Sequence, residues 1–154
     1  MENNPNILQE GIDEDAFCTI CYISGLGAEP CIRLGCGHVF HVNCVKTIIQ
    51  NKWTSPRIVF GFLNCPSCKQ PMELDHCKPL LPELQAVRAI KDLVEGKAVE
   101  RAKFEGIDKH DRLKNRNDHF YGKLKEYAMF KLSYYMCFKC QNPYFGGMKD
   151  CGDN

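Results

Sequence analysis

Eight cysteines and histidines fall into tight groups: Cys18, Cys21, Cys36, His38, His41, Cys44, Cys65 and Cys68, with intervening gaps of 2, 14, 1, 2, 2, 20 and 2 residues. A two-residue gap lets one tight turn present two donors to a single ion, and zinc takes four nitrogen or sulfur donors at the corners of a tetrahedron. Eight donors therefore make two closed sites. The stretch "CGHVFHVNC", residues 36–44, holds four of them, and its single-residue gap is the informative one. Paired by neighbours, Cys36, His38, His41 and Cys44 would serve one ion. Interleaved, Cys18, Cys21, His41 and Cys44 would hold one zinc, and Cys36, His38, Cys65 and Cys68 the other. Buried free cysteines and core histidines would rarely coincide in such a series. A Cys–His nucleophile is disfavoured too, because a thiolate bound in a closed zinc site is not free to attack.

Composition agrees with this reading. The chain has 154 residues, 44% of them hydrophobic, with 20 basic and 19 acidic side chains and 11 cysteines. So even a charge balance, with basic residues spread among acids, argues against nucleic acid or a membrane surface as the main partner. The start, "MENNPNILQEGIDEDAF", is polar and unlike a signal peptide, and no run of 18 apolar residues could span a bilayer. Dense cysteine without an export signal points to metal binding in a reducing compartment, cytoplasmic or nuclear, instead of disulfides.

The remaining sequence sorts into segments. Residues 1–15 are polar, with Asp13, Glu14 and Asp15 together, and are expected to be disordered. "NCVKTIIQNKW" has helical spacing at Val45, Ile48 and Ile49, with Asn43 as the expected cap. "RIVFGFLNC" is β-branched and aromatic and predicts a strand broken at Gly61. From Pro82 to about Phe104, Leu84, Val87, Ile90 and Val94 predict a longer helix, weakened at Gly96 and stopped by Gly106. "GIDKHDRLKNRND", residues 106–118, is charged and apolar-poor and reads as a linker. The aromatic-rich end predicts a helix over roughly 122–132, a short strand near Tyr134–Phe138, then a turn. There is no internal repeat.

The order of the eight ligands resembles the RING finger family, in the subtype with histidines at the fourth and fifth positions. That resemblance implies the interleaved arrangement, or cross-brace, and a small α+β fold stabilised by two structural zinc ions. It also implies a RING-type E3 ubiquitin transferase, which binds a ubiquitin-loaded E2 conjugating enzyme and promotes transfer to a protein substrate. No catalytic residue forms a covalent bond in such a reaction. The family's groove for the conjugating enzyme uses positions that correspond here to Ile20, Ile48 and Pro66, and its basic linchpin corresponds to Lys69. Many RING fingers carry tryptophan four residues after the sixth ligand. Trp53 comes nine after Cys44, about 140° away on a continuous helix, and is expected to pack against "TSPRIVFGF" instead.

The insert "NKWTSPRIVFGFLNCPSCK" and the terminal "YYMCFKCQNPYFGG" look like the Pam/Highwire family, in which such a RING is followed by a helical linker and a tandem-cysteine zinc domain. The implied domains are a RING finger at 16–78, a helical linker at 79–118 and a partial cysteine-rich module at 119–154. That family relays ubiquitin between cysteines downstream, but the relay cysteines lie beyond the matched region, so this chain does not support the relay. Cys137, Cys140 and Cys151 offer three ligands of a third zinc site. The fourth would be His110, His119, Cys77 or, as the favoured reading, a residue past Asn154. Cys31 and Cys77 are expected to be ordinary buried thiols. The alternative function is a non-catalytic zinc-stabilised interaction module within a larger assembly.

Overall fold

The structure, a computed structural model, describes residues 11–148. The chain divides into two compact units. The first holds the residues up to Thr54 and Val59–Arg88; the second holds Ser55–Ile58 and the residues from Ala89 on.

The first unit is built on a hairpin. Strand β1 (Cys31–Arg33) pairs antiparallel with β2 (Val39–His41), with Cys31 opposite His41 and Arg33 opposite Val39. The turn between them closes through Leu34 N–H to the His38 carbonyl at 2.8 Å and Gly37 N–H to the Leu34 carbonyl at 2.9 Å. Gly37 sits at φ 92°, a region that penalises any residue with a Cβ. Helix α1 (Val42–Asn51) follows β2 without a loop and buries Val42, Val45 and Ile49. Asn43 lies inside this helix, and His41 holds the N-cap position with no side-chain cap bond. The expected cap is therefore corrected: the chain enters α1 directly from a strand, so no free side chain precedes it.

The core of this unit joins Ile32 and Phe40 of the hairpin, Val45 and Ile49 of α1, and Leu74, Leu80, Leu84 and Val87. The last two belong to helix α2 (Leu81–Phe104). Polar contacts reinforce the same corner. Glu83 accepts from Lys46 at 3.5 Å and Gln50 at 3.4 Å, and Arg88 makes a two-pronged pair with Asp75 at 2.6 and 2.8 Å. Arg88 holds the Asp75 carboxyl below its ordinary range. Trp53 packs edge-on against Phe60 at 6.1 Å and near Phe62 at 6.5 Å, on the insert as its spacing predicts. The predicted strand at "RIVFGFLNC" does not form as one element. Arg57 makes an isolated bridge, and Gly61–Leu63 is a turn of 3-10 helix. Residues 11–15, expected to be disordered, are described and bonded: Ala16 N–H reaches the Asp13 carbonyl, and Gly27 N–H the Glu14 carbonyl. The rest of that segment, residues 1–10, lies outside the described residues.

In the second unit, α2 buries Val94, Ala98 and Ala102, a ridge at four-residue steps. The helix runs unbroken through Gly96 and is stopped at Gly106, whose φ of 76° is left-handed. Residues 106–118 are not a simple linker. They form a 3-10 turn (Ile107–Lys109) and helix α3 (Asp111–Lys114), capped by His110 Nδ1 accepting from the Arg112 N–H, with Leu113 buried. Helix α4 (Leu124–Lys131) then buries Tyr127 and Ala128. The Arg112 guanidinium lies 4.9 Å from the Phe120 ring, 5.8 Å from Tyr127 and 5.9 Å from Phe130, and Arg112 pairs with Asp118 at 2.9 Å. A charged segment thus folds by giving its arginine to aromatic faces.

Strands β3 (Leu132–Met136) and β4 (Pro143–Met148) pair antiparallel, and β4 was not expected from the sequence. Its two glycines are there for different reasons. Gly147 has φ 113°, whereas a Cβ on Gly146 would come 2.0 Å from the Tyr135 ring. Among the described residues no helix is long and apolar enough to cross a membrane. Gly146→Ala should cost about 1–3 kcal/mol of stability by forcing that ring aside. Thermal unfolding checks this, and adding Tyr135→Ala should cancel much of the glycine's requirement.

Candidate functional site

Both ligand groups are preassembled, and they are interleaved. Cys18, Cys21, His41 and Cys44 have donor atoms within 4.8 Å of one another, and so do Cys36, His38, Cys65 and Cys68. The hairpin explains why neighbours do not share an ion. Cys36 and His38 straddle Gly37 at its tip, while His41 ends β2 and Cys44 lies in the first turn of α1. His38 and His41 are three extended residues apart, about 10 Å at the usual rise, and an odd offset faces them oppositely. One short strand therefore delivers its two ends to two ions.

Each cysteine pair is held by the same backbone turn. After Cys18-x2-Cys21, Tyr22 has φ 54° and donates its N–H to the Cys18 carbonyl at 2.9 Å. After Cys65-x2-Cys68, Lys69 has φ 65° and donates to the Cys65 carbonyl at 2.9 Å. Left-handed backbone is unfavourable for such side chains, so its recurrence marks a turn shaped for its two thiols.

In the first group, His41 Nδ1 lies 3.7 Å from both Cys21 Sγ and Cys44 Sγ. Its Nε2 lies 3.0 Å from the Gly25 carbonyl, which takes the ring proton and leaves Nδ1 as the donor atom. Gly25 must be glycine, because a Cβ there would sit 2.6 Å from the Glu14 carbonyl oxygen. The half-exposed Glu29 carboxylate is 3.6 Å from the same Nδ1 and adds negative charge to the group. In the second group, His38 Nδ1 is 3.3 Å from Cys36 Sγ and 3.6 Å from Cys65 Sγ. Tetrahedral zinc places a nitrogen donor about 3.5 Å from a sulfur donor and two sulfurs about 3.8 Å apart. Three sulfurs and one imidazole at these separations fit zinc.

Electrostatics point the same way. The backbone N–H groups of Ile23 and Ser24 hold the Cys21 thiol down to about 6, while burial and then the neighbouring Cys18 push Cys44 up to about 12. Burial pushes Cys65 up, but the N–H groups of Cys68 and Ser67 outweigh it and leave that thiol below its ordinary value. Crowded thiols compete for negative charge until a dication settles them all. With four protein donors each, both sites are closed and structural, leaving no position for an activated water.

The leftover thiols are not part of either site. Cys31 is buried, its Sγ donates to the Leu26 carbonyl at 3.0 Å, and burial raises its pKa. Cys77 is buried in the first unit's core, and burial raises it as well.

The third pair repeats the turn. Gln141 has φ 57° and donates to the Cys137 carbonyl at 2.8 Å, and the N–H groups of Cys140 and Lys139 lower the Cys137 thiol. Cys151 lies outside the described residues. Of the suggested fourth ligands, His110 caps α3 and packs on Tyr127 at 5.2 Å, and His119 meets Phe120 at 5.0 Å. Among the described residues, no third group of three donors assembles.

Ile20, Ile48 and Pro66 are half-buried and Lys69 is exposed, with Nζ 3.2 Å from the Pro66 carbonyl. Beside the first turn, Tyr22 and Ile23 are 71% and 84% exposed. Sequence reasoning passed over these two, whose only signal was apolar character directly after a ligand pair.

Residues 16–69 match the Ring finger domain family. The chain carries a RING finger, and its similarity to ligases of the Pam/Highwire kind runs well beyond that domain. It is 41% identical over 140 residues to the E3 ubiquitin-protein ligase highwire of Drosophila melanogaster, covering 90% of this chain and 2% of that protein. It is 37% identical over 139 residues to the E3 ubiquitin-protein ligase MYCBP2 of Danio rerio, covering 90% of this chain and 3% of that one. A shorter match, 34% identical over 56 residues, links it to the E3 ubiquitin-protein ligase IPI1 of Oryza sativa subsp. japonica, covering 34% of this chain and 10% of that protein. The chain thus spans a small fraction of the relatives it matches.

The cross-brace predicts separable metal losses. Native mass spectrometry should find one zinc fewer per chain in Cys36→Ser, with the Cys18 group still loaded. Cys31→Ser should keep the full zinc content. Cys36→Ser/Cys65→Ser should likewise lose one zinc, because both donors belong to the same group. Loss of both ions in that double variant would favour pairing by neighbours, which puts the two cysteines on different ions.

Proposed function

We propose that this chain is a RING-type E3 module that binds a ubiquitin-loaded conjugating enzyme and promotes ubiquitin transfer to a protein substrate in a reducing, cytoplasmic or nuclear setting. The observation that carries the reading is the pair of cross-braced cysteine turns, each with a partly exposed apolar residue between its ligands. Ile20 stands between Cys18 and Cys21, and Pro66 between Cys65 and Cys68. Ile48, half-exposed on α1, supplies the third apolar position, and Lys69 an exposed cation just past the last ligand. A partner's loops would bury the three apolar groups, and the ammonium would hydrogen-bond carbonyls of the enzyme and ubiquitin. The contribution is orientation: a flexible thioester-linked ubiquitin is restrained for attack, and no side chain of this chain acts as nucleophile. The names of the relatives, all E3 ubiquitin-protein ligases, support this reading. The third cysteine turn, by its likeness to the two RING turns, is proposed as half of a further structural zinc site.

The test is loss of ubiquitin from a loaded conjugating enzyme with free lysine as acceptor. The chain should accelerate discharge, and Ile20→Glu should reduce that acceleration at least ~10-fold, the effect of losing about 1.4 kcal/mol of binding. Zinc content should not change. If no conjugating enzyme responds while both ions remain bound, the chain is an interaction module instead.

A further inference from the structure

The 20-residue span between Cys44 and Cys65 does more than separate two ligand pairs. Within it, Ser55–Ile58 belong to the second unit. Arg57 bridges Tyr135 in antiparallel sense, and the Ile58 N–H donates to the Tyr134 carbonyl at 2.8 Å. This short extended segment therefore takes the edge of β3 that β4 leaves open, giving the central strand a partner on each side. An open strand edge is a template for an extended peptide, and main-chain bonds of this kind are how such peptides add to sheets.

Side chains seat the segment. Arg57 Nη2 donates to the carbonyls of Met129 at 3.0 Å and Leu132 at 3.3 Å. Those carbonyls lie where α4 ends at Lys131, and the last carbonyls of a helix have no partners within it. One nitrogen with two protons satisfies both, and its positive charge faces the negative end of the helix dipole. Ile58 is 1% exposed, and the Ser55 hydroxyl donates to the Arg57 carbonyl at 3.1 Å, closing the segment's own turn.

We propose that the second unit contains a binding slot for an extended arginine–aliphatic dipeptide, filled in cis by Arg57 and Ile58. Occupancy of this slot orders β3 and β4. The Cys137–Cys140 turn lies between those strands, so the insert between the sixth and seventh RING ligands also sets how that turn is held. The slot's chemistry is specific. It needs a long-stemmed cation that offers two protons to two helix-end carbonyls, a following aliphatic side chain to bury, and backbone free to pair with Tyr134.

Hydrogen exchange on the full chain tests this independently of ubiquitin transfer. In Arg57→Ala, amides of 132–136 and 144–148 should exchange at least ~10-fold faster, while those of α1 keep their protection. Arg57→Lys should fall between wild type and Arg57→Ala, because its ammonium keeps the charge and the protons but stands one bond short of where Nη2 meets the two carbonyls. In the double variant Arg57→Ala/Ile58→Ser, a free peptide of sequence TSPRIVF at millimolar concentration should restore slow exchange in β3. The same peptide with alanine in place of its arginine should not. Unchanged exchange in β3 and β4 of both variants would overturn the slot. So would faster exchange spread equally through α1, or failure of the arginine peptide to rescue.

Discussion

Everything in the first unit depends on a three-residue strand having to reach two metal sites. β2 ends on one side at the turn carrying Cys36 and His38, and on the other at His41, which hands the chain to α1 and Cys44. Because extended residues alternate faces, neither site can take both histidines, and each must recruit a cysteine turn from elsewhere in the chain. The first turn arrives from before the hairpin and the second from after α1, so chain segments distant in sequence are tied at two points. The tie is strong on the scale that matters. A structural zinc contributes about 10–16 kcal/mol in small peptides, comparable with the whole stability of a typical domain, about 5–15 kcal/mol. A core as small as Ile32, Phe40, Val45, Ile49 and their neighbours suffices only because the ions share the work.

The second unit solves a different problem with different means. Its segments are rich in charge, and they fold by placing cations on aromatic faces. Arg112 lies among Phe120, Tyr127 and Phe130, and the Arg101 guanidinium sits 4.2 Å from the Phe145 ring. Its strands are short, and β3 gains its second partner from Ser55–Ile58. Packing here is tight enough that Tyr135 lies across Gly146 with no room for a methyl group.

Legibility followed the range of the interactions. The eight RING ligands were readable because metal coordination demands particular side chains at particular gaps, and no other residue substitutes. Helix α2 was readable because its apolar spacing is local, and Gly106 stops it for a local reason, its left-handed φ. Gly96 was overweighted, since burial of Val94 and Ala98 around it outweighs one residue's propensity. The residues 106–118 looked like a linker because their folding rests on His110 capping α3 and Arg112 meeting rings later in the chain, contacts invisible to a local window. The insert read as a strand by composition, yet pairing is decided elsewhere in the chain: Arg57 and Ile58 pair with β3, Asn64 bridges Pro71, and a 3-10 turn separates them.

By itself the sequence determined which residues would bind metal, that two closed sites would form, and that the α2 region would be helical. Each follows from covalent spacing and side-chain chemistry, which survive any arrangement of the rest. Tertiary structure alone decided the backbone of the cysteine turns, which puts Tyr22, Lys69 and Gln141 in left-handed conformations that their own propensities oppose. It also decided that Nδ1 of His41 faces the thiols, because the Gly25 carbonyl claims the other nitrogen. And it decided that four residues lying between two RING ligand pairs complete the sheet of the second unit. These outcomes depend on which distant groups meet, and that is settled only when the whole chain has closed around its ions and its arginines.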